Sequence, residues 1–120
     1  MLIYVAAPYS HPVPEVVATR MDLFTRTMAK LIEQGHHPVS PLMNHFLAEK
    51  IEVNFPLSWQ YWEEYSSKLL DRCDAMMVIT MHGWEESTGV TAEIKMAIER
   101  GKPIEYIEPV SPTIDEMIAG

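Results

Sequence analysis

The chain of 120 residues is long enough for one domain with one core and too short for two. With 9 Lys and Arg against 17 Asp and Glu, its net charge of −8 excludes the basic surface that a nucleic-acid polymer needs as a partner. One cysteine, Cys73, excludes an internal disulfide and fits a reducing compartment. The start MLIYVAAP has no basic segment before its apolar run, and no apolar run reaches membrane-spanning length, so the cytoplasm is the expected location.

Residues 2–7 (LIYVAA) form a continuous apolar run closed by Pro8, the pattern of a strand buried on both faces. After PYSHPVP, apolar residues at Val17, Met21, Phe24, Met28, Leu31 and Ile32 mark one helix face, which Gly35 stops. HHPVS (36–40) predicts a short second strand, and residues 41–50 a short helix. Residues 58–72 predict a helix opened by Ser58, with Trp59, Trp62, Ser66, Leu69 and Leu70 inward. DAMMVITM (74–81) is a buried strand. Residues 88–100 form a helix with Val90, Ile94, Ala97 and Ile98 inward, stopped by Gly101. PIEYI (103–107) is a last strand, and SPTIDEMI opens a final short helix.

Strands alternating with helices predict an α/β fold with a parallel sheet of four to five strands, flavodoxin-like and in three layers. Right-handed crossovers give the order 2-1-3-4. The order reverses between strands 1 and 3, so a ligand crevice is expected at their carboxyl ends. Tyr9 and Ser10, the stretch from Trp84 to Glu93, and Pro41 to His45 fall there.

Within that crevice ESTGVTAE (86–93) is the strongest feature. Ser87 and Thr88 can cap a helix, Gly89 admits a ligand close to backbone amides, and free N–H groups at such a start favour an anion. Glu93 follows in the second turn and borders the core face, where a carboxylate beside the helix dipole is expected to stay ionised. Its other reading is a solvated residue paired with Arg100. Tyr4, inside strand 1, needs a partner for a buried phenol, either a carboxylate across the switch point or a backbone group. Tyr9 and Ser10 are placed to meet a ligand, with Tyr9 able to stack on a base. His45 lies near the crevice, with a plain surface role as its alternative. No His, Cys or acidic spacing marks a metal site, and no glycine-rich motif marks a dinucleotide or P-loop site, so neither metal nor cofactor is expected. Trp59, Trp62 and Tyr65 read as core or subunit-interface residues.

The IYVAAPY start, the LLDRCDAMMVI strand entry and the SxGVxxE…A…GKPI block resemble the nucleoside 2-deoxyribosyltransferase superfamily over residues 2–107. YW…Y…LL..CDA with GWEESTGV is similar to a small bacterial and phage branch. The resemblance implies Glu93 as the nucleophile at C1′ and Tyr4 as its contact. It also implies a substrate loop at residues 8–10 and, by similarity to deoxynucleoside 5′-monophosphate N-hydrolases, a phosphate-contacting Ser87. It implies a homodimer or higher oligomer and a nucleoside or nucleotide as ligand. Ser66 stands where that superfamily usually carries an Asp, and Asp71 does not obviously replace it. The superfamily's C-terminal segment, which completes a neighbouring site in the transferases, is lacking. Both departures weigh against a transferase and leave base release, or binding by a sensor or interaction module. The leaving base's proton is left to Tyr9, His45, Asp74 or water.

Overall fold

A computed structural model describes residues 1–44 and 58–112. Four strands, β1 (Leu2–Ala6), β2 (His37–Val39), β3 (Ala75–Ile79) and β4 (Ile104–Ile107), form one parallel sheet in the order β2-β1-β3-β4. Three helices connect them: α1 (Pro14–Glu33), α2 (Trp59–Arg72) and α3 (Thr88–Glu99). Residues 41–44 are helical. The expected remainder of that helix to residue 50, His45 within it, and nearly all of the expected final helix lie outside the described residues.

The central strands explain the layering. Each residue of β3 is buried, and β1 is buried from Ile3 onward, because a parallel sheet with helices on both faces leaves neither side of its inner strands to water. Alternate residues then divide between two cores. Ile3, Val5, Met77 and Ile79 pack with Phe24, Met28 and Leu31 of α1. Tyr4, Ala6, Met76 and Val78 pack with Leu70 of α2 and Val90 and Ala97 of α3. One face thus carries α1 and the other carries α2 and α3.

Both expected helix stops form. At Gly35, φ is +89°, and the His36 and Gly35 N–H groups bond to the carbonyls of Leu31 (3.0 Å) and Ile32 (2.9 Å). At Gly101, φ is +65°, with the matching pair from Lys102 to Ala97 and from Gly101 to Ile98, both 3.0 Å. These are Schellman closures, and the left-handed residue they need is the reason for glycine at both positions.

Three residues expected to face inward do not. Ile32, Trp59 and Ile98 are 62%, 52% and 66% exposed. Consecutive helix residues point about 100° apart, so Leu31 and Ala97 take the core and turn Ile32 and Ile98 outward. Trp59, in the first turn of α2, lines a cleft at the carboxyl ends of the strands instead of the core.

Candidate functional site at the carboxyl ends of the strands

The loops leaving β1 and β3 diverge and open a cleft of about 780 Å³. That volume is of the size that holds a small molecule. Its wall includes Tyr9, Ser10 and His11 after β1, Pro41 and Leu42 after β2, and His82, Gly83 and Glu86 after β3. The first turn of α3 (Thr88, Gly89) and its cap Ser87 add to it, as do Trp59, Trp62, Glu63 and Ser66 of α2.

Its chemistry centres on a pair drawn from opposite ends of the chain. Tyr4, fully buried in β1, donates a hydrogen bond from its Oη to Oε2 of Glu93 on α3. The Ser66 hydroxyl bonds the same phenol oxygen in the sense that lowers the phenol's pKa, so it acts as donor, although burial and Glu93 outweigh it. Ser66 is itself buried. Three elements, β1, α2 and α3, thus meet in one chain of hydrogen bonds, Ser66 to Tyr4 to Glu93.

Glu93 keeps part of its surface toward the cleft, yet the wall around its carboxyl is dense. Burial pushes its pKa up to about 7, against the opposing pull of the Tyr4 hydrogen bond. This corrects the expectation of a carboxylate kept ionised by the helix start. The dipole acts mainly within the first turn and is worth about 0.3–1 kcal/mol. Glu93 stands one turn further in, where the loss of solvation outweighs it. Tyr4 is driven well above the ordinary phenol range, first by burial and then by the neighbouring Glu93 charge. It therefore remains a donor throughout the accessible pH range.

The alternative pairing of Glu93 with Arg100 does not occur. Arg100 points to α2 instead, with Nε 2.5 Å from Asp71 Oδ1 and Nη2 donating to Ser67 Oγ at 2.5 Å. This interaction ties the carboxyl end of α3 to α2 and also occupies Asp71. Asp74 is removed from the expected proton sources. It sits at the amino end of the sheet, accepting from Leu2 N at 2.8 Å, while the cleft lies at the carboxyl end.

Ser87 caps α3, its Oγ accepting from Val90 N at 3.2 Å, and lines the cleft. A Cβ at Gly89 would meet nothing nearer than Ser87 Oγ at 3.9 Å. The fold tolerates a side chain there, and only a ligand against the helix start would require its absence. Several wall residues do not read as cleft residues from the sequence, Trp59 and Trp62 among them, which read as core or subunit-interface residues. Trp59, Trp62 and Glu63 share α2 with Ser66, and their helical spacing is that of any packed face. Arg20, on α1, also reaches the cleft, and nothing in its sequence neighbourhood marks it. Ser66 was legible as an inward residue of its helix, which its burial bears out, and as a missing acid, but not as the partner of Tyr4.

A parallel sheet in the order β2-β1-β3-β4, with a carboxylate–phenol pair in the crevice at its switch point, is an α/β fold of the doubly wound class with a candidate site where such folds hold their ligands. The chain matches the family described as Domain of unknown function (DUF1937) over residues 1–108, and belongs to it. No curated protein matches the chain. Among the described residues, no three His, Cys, Asp or Glu side chains group as metal ligands, and no helix is long and apolar enough to cross a membrane.

Proposed function

We propose that the protein cleaves the N-glycosidic bond of a nucleoside or nucleotide in the cytoplasm, with Glu93 as the carboxylate at C1′. The observation that carries this reading is the Tyr4–Glu93 hydrogen bond in the wall of a ligand-sized cleft. The resemblance of the sequence to nucleoside 2-deoxyribosyltransferases supports it at the same two residues.

Departure of a base leaves positive charge on the sugar, and a carboxylate beside C1′ stabilises that charge or bonds to it. In the covalent form the Glu93 oxygen bonds to C1′ as the C1′–N bond breaks. The base leaves with the electron pair and gains a proton. Water then adds at C1′, returns the carboxylate and gives the free sugar. The ionised form is the reactive one, so activity rises with pH through about 7. Tyr4 holds the carboxylate by one oxygen and leaves the other for the sugar. Tyr9 and Ser10 bound the substrate loop, and Ser87 with Gly89 meets the substrate's phosphate end. Self-association belongs to the same reading and is supported by the exposed Trp59 and Tyr61 on α2.

Incubation with a panel of nucleosides and their 5′-monophosphates, followed by chromatography for free base, tests the reading. Release from at least one member is expected, and none across the panel contradicts it. Sedimentation velocity tests the assembly, and a monomer at every concentration contradicts that part.

A second reading, binding without turnover, is favoured by one observation. The α2 position against Tyr4 is filled by a buried hydroxyl, Ser66, rather than an acid. It predicts that a nucleotide raises Tm and is recovered intact.

A further inference from the structure

Arg20 rises from α1, on the sheet face opposite α2 and α3, and reaches over the strand ends into the cleft. It is the cleft's one Arg or Lys side chain among the described residues. Its Nη1 donates to the carbonyl of Ser10 in the loop after β1, at 2.8 Å. Its Nη2 lies over Gly83 in the loop after β3, where φ is +90° and a Cβ would stand 2.5 Å from that nitrogen. The guanidinium thus lies directly against the β3 loop, where the positive φ favours glycine and a side chain at 83 would have to displace the end of Arg20.

The charge of Arg20 is unanswered. Its Nε is buried without a hydrogen-bond partner, and among the described residues no carboxylate pairs with it. Glu63, Glu86 and Glu93 share the cleft wall, yet none forms an ion pair with Arg20; a guanidinium left unpaired there, in a chain with 17 acidic residues, is arranged for an anion from outside. Its fork of donors matches phosphate oxygens. As a brace alone, Arg20 would need neither a place on the cleft wall nor a guanidinium left without an ion pair.

We infer that Arg20 forms an anion subsite of the cleft and takes a phosphate group, carried as an ester by the ligand or bound free. The inference deepens the N-glycosidase reading and rests on it for the remainder of the ligand. The loop under the guanidinium runs on to Ser87, so the subsite adds a cation to the hydroxyl already facing the cleft.

The test compares binding of inorganic phosphate, a nucleoside panel and the matching 5′-monophosphates to the wild type, Arg20→Lys and Arg20→Gln, by calorimetry at constant ionic strength. A charge-assisted contact predicts monophosphates about ten- to hundredfold tighter than nucleosides in the wild type. Arg20→Gln is expected to abolish that ratio while nucleoside affinity stays within about twofold, with Arg20→Lys in between. If free phosphate is the ligand, it binds the wild type but not Arg20→Gln, and the ester gives no advantage. Should Arg20→Gln fail to fold, the wild type and Arg20→Lys decide. A wild type that prefers neither the monophosphates nor inorganic phosphate overturns the subsite, as does a preference that survives Arg20→Gln. Phosphate-dependent binding without base release would contradict the N-glycosidase and leave the subsite. Base release equally fast from nucleosides and monophosphates, without phosphate binding, would do the reverse.

Discussion

Glu93 is held between two opposing influences: burial raises its pKa, and the Tyr4 hydroxyl lowers it. Tyr4→Phe removes only the second. The pKa of Glu93 should then rise above about 7, and the acid limb of the pH–rate profile should move to higher pH by about one unit or more. An unmoved limb would mean that the hydrogen bond does not govern the carboxylate. The same raised pKa makes a stability statement. The unfolded chain gives up the Glu93 proton near 4.5, while the folded protein keeps it to about 7. Between those values the folded state binds more protons, so the contribution of this group is full below pH 4.5 and is lost as pH rises through 7. Glu93→Gln abolishes the ionisation. Denaturant titrations should show the variant gaining about 1–3 kcal/mol relative to wild type between pH 5 and pH 8. A constant difference across that range would contradict the buried carboxylate. At this scale the sequence was half legible. Spacing placed Glu93 at the border of the core and identified Tyr4 as a phenol in need of a partner. It misjudged the ionisation, because solvation depends on walls supplied by three separate elements, and no local pattern records that sum.

The elements were the most legible level, for reasons that differ from one to the next. The runs at 2–7 and 74–81 were readable as strands because burial on both faces demands apolar residues without interruption, and the ends trimmed to Leu2–Ala6 and Ala75–Ile79. The helix stops at Gly35 and Gly101 were readable because only glycine takes their φ without strain. Orientation was read less well. Ile32 and Ile98 were assigned inward beside Leu31 and Ala97, although one helix cannot turn both members of such a pair to the same sheet. Ala97 took the inside position on α3, where a small side chain lets the helix lie close to its neighbours. The start of α3 bears both on stability and on the cleft. Ser87→Ala removes the bond to Val90 N and should cost about 1 kcal/mol by thermal or denaturant unfolding. Under the proposed function it should also raise KM for a monophosphate more than for the nucleoside. An equal rise for both would separate the cap from the ligand.

For the whole molecule, topology made the location of the cleft predictable before its residues were assembled. A strand order of 2-1-3-4 puts the reversal between β1 and β3, and the cleft opens there because helices on opposite faces pull the two loops apart. Topology also explains why Arg20 escaped notice. It reaches the cleft from α1, across the sheet from Glu93, and a contact between loops of two strands has no signature along one helix. A ligand bridging these parts binds only the folded chain. At a hundredfold excess over its Kd, such a ligand should stabilise the protein by about 2.7 kcal/mol in thermal unfolding, and a lack of any shift across the panel would contradict a ligand site. The central claim, that the Glu93 carboxylate acts at the sugar, is tested most directly by the rate of base release in Glu93→Ala at pH 8. If Glu93 is the nucleophile, the rate should fall by at least about a thousandfold while the variant remains folded. Release within about tenfold of the wild-type rate would contradict the claim.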